Sequence, residues 1–150
     1  MVDKAILAGK LAAIRDAVAR VRQVLPASVD AFRLDRTVRE VVTLNLFIAL
    51  QEAIALAAHW VADQGWSVPL SYADVFTVLG DRHVIVGDLA RRLRAAAGLR
   101  NLIAHQYGVL NVDRVFAIAS NDLDDLLAFC QQLAQRTKNE SSGEATPQQQ

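Results

Sequence analysis

One segment, residues 41–62, constrains the fold most, because it is the most apolar stretch of the chain. A membrane-spanning helix needs about 20 nearly uninterrupted apolar residues. Polar side chains interrupt this segment at Thr43, Asn45, Gln51, Glu52 and His59. We therefore predict a long buried helix in a soluble, cytoplasmic protein that contacts no membrane. The wide apolar surface of this helix predicts burial on more than one side, as at a dimer interface.

The rest of the chain also has the features of helices. With 7 glycines and 3 prolines, the chain has few turn residues for an all-β fold, and apolar residues recur at three- and four-residue spacing. Residues 80–87 have nothing nearby to pair with as a strand, so we predict a short turn or the start of a helix there. The predicted helices are residues 3–25; a long one from Asp30 or Asp35 to 63; 72–79, capped by Ser71; 88–105; and 112–136, with a bend or restart at Asn121. The fold class is all-α, an up-and-down helical bundle of about five helices.

The domain organisation follows from where the apolar periodicity ends. A chain of 150 residues is the size of one domain, so we assign residues 1–136 to a single helical domain. From Thr137 the sequence is polar and ends in three glutamines. Segments with too few apolar residues to bury do not fold. We therefore predict that residues 137–150 form a disordered polar tail.

Charge and cysteine content narrow the classes of function. The chain has 16 basic and 16 acidic residues, which argues against a general nucleic-acid coat protein but allows a local basic patch. Its single cysteine, Cys130, cannot form an intramolecular disulfide and fits a reducing compartment. No His, Asp or Glu set has metal-ligand spacing, and no glycine-rich phosphate loop occurs. We therefore expect neither a metal nor a cofactor.

Chemistry is concentrated in residues 98–108, where Arg100, Asn101, His105 and Tyr107 end an otherwise alanine- and leucine-rich helix. A helix advances about 100° per residue, so Asn101 and His105 lie on one face and Arg100 lies about 140° from His105. Tyr107 lies where the helix ends, and we expect its phenol to be exposed.

These residue types suit RNA cleavage without a metal. That reaction needs a base for the ribose 2′-hydroxyl, an acid for the departing 5′-oxygen and a cation for the phosphate. Histidine, with a pKa of about 6.5, suits either proton role, and arginine matches phosphate oxygens. Asn101 would orient the imidazole or donate to the phosphate, and a two-fold dimer would supply a second histidine. The bare pattern, however, favours a solvated arginine and a histidine that stabilises a helix C-terminus.

Residues 100–107 read RNLIAHQY and resemble the Arg-x4-His-x-Tyr motif of HepT-like HEPN toxins. The resemblance extends over about residues 5–135, because further segments occur in the same order as in that family. These segments are residues 21–26, 45–53, 69–76, 89–98 and 112–115. Agreement of several ordered segments makes the match far more specific than the motif alone.

The resemblance implies a HEPN-like bundle that forms a two-fold homodimer, with both motifs lining a shared cleft. It implies that Arg100 and His105 are the catalytic pair, with Asn101 beside them, of a metal-independent endoribonuclease. RNA is the substrate, with transfer RNA among the expected targets. The chain would be the toxin of a type VII-like toxin–antitoxin pair. Its partner would be an MNT-type nucleotidyltransferase antitoxin that transfers AMP from ATP to Tyr107, adding negative charge and bulk where substrate phosphate should lie.

Two other functions remain open at the level of sequence. A HEPN domain also serves as a non-catalytic dimer, either as a scaffold or as the nucleotide-binding partner of a nucleotidyltransferase. A helical phosphorelay module would carry phosphate on His83 or His105. RNA cleavage by the purified protein would exclude the first alternative, and acid-labile phosphate on a histidine would mark the second.

Several other residues have both a structural and a functional interpretation. Glu52 is expected to pair with an arginine inside the dimer rather than to act as a catalytic acid. A solvated helix start is expected for Asp35, Arg36 and Arg39, although these residues would also suit the border of the cleft. Three aromatic residues near the short helix are expected to pack, although they would also suit base stacking: Trp66, Tyr72 and Phe76.

Overall fold

The fold is entirely helical across the residues that the structure, a computed structural model, describes, which are residues 2–143. Seven α-helices and one short 3-10 helix occur in this part of the chain, and no strand. The α-helices in chain order are α1 (Lys4–Val24), α2 (Val29–Leu34), α3 (Arg36–Asp63), α4 (Asp74–Asp81), α5 (Gly87–Gln106), α6 (Val112–Asn121) and α7 (Leu123–Gly143). The 3-10 helix, Tyr107–Val109, follows α5. The predicted all-α class is confirmed.

Helix α3 is the central element of the bundle, as its apolar composition predicts. It packs against all six other α-helices and buries large side chains that include Leu46, Leu50 and Trp60. Helix α3 is long and apolar enough to cross a membrane, judged by length and composition only. Half of its most apolar 18-residue stretch, however, is buried inside the fold. Helices of the same chain therefore bury α3 on more than one side, while Leu44 remains exposed on its outer side.

The helix count exceeds the predicted five because one helix is short and another is divided. Helix α2 has only six residues and lies between the end of the first predicted helix and the Asp35 start of the long helix. Ser28 caps α2, and Asp35 caps α3, each by accepting a hydrogen bond at 3.1 Å from the backbone N–H three residues on. The predicted restart at Asn121 is confirmed, since α6 ends there and α7 follows.

The segment between α4 and α5 is a turn, as predicted, rather than a strand. The two helices approach closely at Gly80, where a Cβ atom would lie 2.7 Å from the Cβ atom of Ala90. The expected cap of α4 differs from the prediction, because Ser71 contributes its carbonyl oxygen, which accepts from the Asp74 N–H at 3.1 Å. Helix α4 begins without a side-chain cap, so we infer that packing against α5 holds it in place.

The last helix extends beyond its predicted end. We expected disorder from residue 137, but α7 continues through Gly143. The hydroxyls of Thr137, Ser141 and Ser142 each donate to the carbonyl oxygen four residues earlier. The three hydroxyls therefore find hydrogen-bond acceptors within α7 itself. The remainder of the predicted tail, residues 144–150, lies outside the described residues.

Aromatic packing joins α4 to α7 in the core. The rings of Phe76 and Phe129 meet edge to face with centroids 5.6 Å apart, an arrangement that the ring quadrupoles favour. This contact confirms that Phe76 packs rather than stacks on bases. Burial raises the pKa of the neighbouring Cys130 thiol to about 11, so at neutral pH the thiol stays protonated and acts as a small apolar side chain.

Candidate active site

Helix α5 carries the motif at the end where its packing stops. Its first part, residues 87–99, buries one face, formed by Leu89, Ala90, Leu93, Ala97 and Leu99. Residues 100–106 contain no fully buried side chain, and the 3-10 helix that follows is exposed. The core therefore fixes the helix, and its last turns hold polar side chains at the surface.

Arg100 is held by two neutral hydrogen-bond acceptors. Its Nε donates to Oε1 of Gln51 on α3 at 2.6 Å, and its Nη1 donates to Oδ1 of Asn101 at 3.0 Å. Both acceptors are amide oxygens, so these bonds orient the guanidinium without neutralising its charge. Within residues 2–143 no carboxylate forms an ion pair with Arg100, and an oriented cation of this kind is suited to bind a phosphate.

Two aromatic rings also contact the guanidinium of Arg100. Its Cζ lies 5.7 Å from the ring centroid of Phe47 on α3 and 5.2 Å from that of Tyr72. Both distances fall within the roughly 6 Å range of cation–π attraction. Tyr72 was expected to pack locally beside the short helix; it is 58% exposed, and its ring packs on Arg100 of the motif.

His105 lies in the last turn of α5, four residues beyond Asn101 and therefore on the same face of the helix. Both side chains are exposed. Among residues 2–143, no hydrogen bond joins His105 to Arg100, whose guanidinium is turned towards α3. One chain therefore brings Arg100 and Asn101 together and leaves His105 facing solvent.

Tyr107 begins the 3-10 helix and is 52% exposed, which confirms the expected exposed phenol. It lines two adjoining clefts. The first, which we call the arginine cavity, has a volume of about 310 Å³ and is lined by Phe32, Arg36, Arg39, Glu40, Thr43, Tyr107, Gly108, Leu110, Val112 and Val115. The second, which we call the apolar cleft, has a volume of about 450 Å³ and is lined by Glu40, Thr43, Leu44, Phe47, Ile103, Ala104 and Tyr107.

The first turns of α3 are the expected solvated helix start, with the Arg36 side chain 84% exposed, and they also border the arginine cavity. Asp35 acts as the cap, whereas Arg36 and Arg39 line the cavity. Arg36 donates from Nε to Oε1 of Glu40 at 2.8 Å. This hydrogen bond and the carboxylate charge raise the pKa of Arg36. Arg36 and the motif tyrosine line the same cavity.

Glu52 has a different partner from the predicted arginine. Its Oε2 accepts from Nζ of Lys10 on α1 at 2.9 Å. The ion pair joins α1 to α3 within one chain, so Glu52 has a structural role in the bundle. Trp66 also packs locally, with the Arg82 guanidinium 4.9 Å from its ring centroid.

Sequence reasoning missed the contribution of α3 to the motif. Phe47 and Gln51 both contact Arg100, and they lie four residues apart on one face of α3. Gln51 was visible in the sequence as a polar interruption of an apolar helix. Its partner was not, because the contact bridges 49 residues of chain.

Comparison with known families gives a match over most of the chain. Residues 14–133 match the family described as HepT-like ribonucleases. The mRNA nuclease HepT of Shewanella oneidensis is 32% identical over 124 residues, which cover 83% of this chain and 92% of that protein. The family and the curated relative thus agree with each other over the same helical domain.

Solved structures give the same result. A tri-AMPylated Shewanella oneidensis HEPN toxin, solved in complex with an MNT antitoxin, superposes with a TM-score of 0.80 at 30% identity and covers 88% of this chain and 98% of that one. YutE of Bacillus subtilis, a cytosolic protein of unknown function, superposes with a TM-score of 0.82 at 13% identity over 93% of each chain. The second likeness shows the fold alone.

Proposed function

Because the chain belongs to the HepT-like ribonuclease family, we propose that it is a toxin that cleaves RNA internally without a metal, using Arg100 and His105. The observation that carries this proposal is the Arg100 guanidinium, which Gln51 and Asn101 orient without neutralising. It lies in the same surface turns of α5 as the only histidine of the motif.

The proposed reaction needs only proton transfer and charge stabilisation. An imidazole of His105 takes the proton of the ribose 2′-hydroxyl, and the 2′-oxygen attacks the adjacent phosphorus. The phosphorus–5′-oxygen bond then breaks, and the departing 5′-oxygen takes a proton from an imidazolium. Arg100 stabilises the extra negative charge on the five-coordinate phosphorus. The products are a 2′,3′-cyclic phosphate and a free 5′-hydroxyl, and Asn101 orients the phosphate or the imidazole.

A homodimer would supply the acid and the base together, because each motif has one histidine. The apolar cleft supports an interface on the motif face, since it exposes Leu44 at 57% beside half-buried Phe47 and Ile103. Apolar patches of this kind commonly mark protein interfaces. Two-fold symmetry would then place two copies of His105 near one scissile phosphate.

Control of the activity is proposed to act on Tyr107. A relative of this chain is described as tri-AMPylated and in complex with an MNT antitoxin. By analogy, an MNT-type nucleotidyltransferase would bring ATP to the exposed phenol. The phenol oxygen would attack the α-phosphorus, lose its proton and displace pyrophosphate. The attached adenylate would place a negative charge against the substrate site.

The RNA target is a separate expectation. The Shewanella oneidensis relative is named an mRNA nuclease, and transfer RNA is the target expected from the sequence resemblance. Messenger and transfer RNA are therefore both candidate substrates of a cytoplasmic enzyme.

The decisive test is cleavage of defined RNAs by the purified protein in excess EDTA. Cleavage should leave 2′,3′-cyclic phosphate ends, and Arg100→Ala should abolish it. Arg91→Ala, which removes an exposed arginine about two and a half turns earlier on α5, should cleave normally. Cleavage that needs added metal, or that survives Arg100→Ala, would overturn the proposal. A folded dimer that cleaves nothing would favour the non-catalytic scaffold.

Modification is tested by coexpression with an MNT-type partner. Mass spectrometry should find adenylate mass on the peptide that contains Tyr107, and Tyr107→Phe should remove it. Toxicity that is neutralised while Tyr107 stays unmodified would replace modification with sequestration as the mechanism.

A further inference from the structure

The arginine cavity is not explained by RNA cleavage at Arg100 and His105, because neither of these residues lines it. We propose that this cavity is a nucleotide subsite that holds one nucleoside monophosphate unit. Its phosphate would lie against Arg36 and Arg39, and its base would lie on the apolar floor. The inference rests on the proposed function for the source of that nucleotide, which is either the RNA or an adenylate on Tyr107.

The size and walls of the cavity suit one nucleotide. Its volume of about 310 Å³ lies at the lower end of the roughly 300–1,000 Å³ range of ligand pockets. The floor combines the buried side chains of Phe32 and Val115 with half-buried Leu110 and Val112. An uncharged floor and a rim with two guanidinium groups match a molecule that has a flat aromatic base at one end and a phosphate at the other.

The charges on the rim favour an anion. Two arginines and one carboxylate, Glu40, give the lining an excess of positive charge. Arg36 and Glu40 form an exposed ion pair, and exposed pairs are weak, so a phosphate can replace the carboxylate as the partner of Arg36. Arg39 donates from Nη1 to the carbonyl oxygen of Arg33, which directs its guanidinium while leaving other N–H groups available.

A bidentate ion pair joins α2 to α6, the two helices that supply Phe32 and Val112 to the cavity. Arg33 on α2 donates from Nε and Nη2 to both oxygens of Asp113 on α6, at 2.8 and 2.7 Å. This pairing holds the pKa of Asp113 below its ordinary range, with the hydrogen bond as the main cause. Phe32 lies on α2 and Val112 lies on α6. Because the ion pair joins these two helices, the floor of the cavity is formed before any ligand binds.

Binding of AMP to the full-length, unmodified protein tests the subsite. Isothermal titration should show one saturable site per chain. Arg36→Ala and Arg39→Ala should each weaken AMP binding by about tenfold, the usual range for a charge-assisted phosphate contact. Glu40→Gln should tighten binding, because it removes the competing carboxylate. Arg91→Ala is the matched control and should bind AMP as the parent does.

Two further measurements, RNA cleavage kinetics and phosphorus NMR of the adenylated protein, then identify the source of the nucleotide. If the RNA supplies it, Arg36→Ala and Arg39→Ala raise the KM for a short RNA while kcat changes little. If the modified tyrosine supplies it, the phosphorus NMR signal of adenylated Tyr107 shifts in the same two variants and KM does not change.

Failure of the subsite is distinguishable from failure of the proposed function. Absence of saturable AMP binding, or binding that both arginine variants leave unchanged, overturns the subsite while cleavage through Arg100 can still stand. If AMP binds but neither the KM for RNA nor the phosphorus NMR signal changes in the arginine variants, the role of the subsite in this reaction is also overturned. Conversely, arginine-dependent AMP binding by a protein that cleaves no RNA would support the subsite and refute the nuclease.

Discussion

The two parts of helix α5 have different tasks. Residues 87–99 bury a continuous apolar face against α4, α3 and α7. Residues 100–106 bury no side chain fully, and there the helix presents Arg100, Asn101 and His105 instead. The backbone hydrogen bonds run on unbroken from one part to the other. The buried part therefore fixes the position of the exposed part, and the polar side chains of the exposed part need not be buried.

This division predicts that stability and catalysis can be changed independently. Substitutions in residues 87–99 should lower the free energy of unfolding and leave the chemistry of each folded molecule intact. Substitutions in residues 100–106 should do the opposite. A variant in residues 100–106 that lowers the free energy of unfolding would show that the motif also contributes to folding. A variant in residues 87–99 that changes the cleavage rate per folded molecule would show that the core also affects the site.

The largest separation is expected for His105→Ala. Removal of a general acid or base costs about 100- to 10,000-fold in rate, whereas an exposed substitution changes unfolding free energy by less than about 0.5 kcal/mol. Cleavage of a fluorescent RNA and urea denaturation measure the two quantities. A marked fall in the urea midpoint would contradict the division, because it would make His105 part of the fold.

The reverse effect is expected for Leu93→Ala. Leu93 is 1% exposed, and removal of a buried leucine side chain costs about 2–5 kcal/mol. Urea denaturation should show this loss, while the cleavage rate per folded molecule stays close to that of the parent. Leu102→Ala is the matched control, since Leu102 lies in the exposed part of the same helix and is only half-buried. Equal losses in the two variants would contradict the comparison.

A smaller effect on stability is expected for Gly80→Ala. The new Cβ would lie 2.7 Å from the Cβ of Ala90, so α4 and α5 must move apart, and overpacking typically costs about 1–3 kcal/mol. The thermal midpoint should fall accordingly. Gly87→Ala has open space around the new methyl group and should leave the midpoint nearly unchanged. Retained cleavage by folded Gly80→Ala would localise the damage to the buried part.

The buried part of the molecule was largely predictable, because burial imposes a period on the sequence. Apolar spacing located α1, the long α3 and the first part of α5. Helix α2 could not be found in this way, since six residues are too few for a period to show. The end of α7 was missed for another reason: the hydroxyls there bond to backbone carbonyl oxygens of the helix itself, and apolar spacing does not register such bonds.

The exposed part was predictable in its residue types but not in its contacts. Helical spacing correctly placed Asn101 and His105 on one face, and Tyr107 was correctly expected at the surface. The environment of Arg100 was not predictable, because Gln51 and Tyr72 come from other segments of the bundle. The arginine cavity likewise exists only after α3 and α6 have packed together.

The smallest predicted effect is on Gln51, which we treat as a positioning residue because it acts through Arg100. Its Oε1 fixes the Arg100 Nε at 2.6 Å, and small misplacements of reacting groups cost up to about 100-fold in rate. Since Asn101 still holds the guanidinium, Gln51→Ala should lower kcat by only about tenfold and leave the urea midpoint nearly unchanged. Gln131→Ala, at an exposed position on α7, is the control.

Gln51→Glu separates two properties of the contact with Arg100, the orientation of the guanidinium and its uncompensated charge. The glutamate keeps an acceptor for the Arg100 Nε but adds a carboxylate that competes with the substrate phosphate. The KM for RNA should therefore rise in Gln51→Glu, whereas in Gln51→Ala the main loss should be in kcat. A purely structural role for Gln51 would lower the urea midpoint in both variants and would not split kcat from KM. That outcome would show that Gln51 stabilises the fold, as residues 87–99 do. Arg100 would then be oriented by Asn101 and the two aromatic rings.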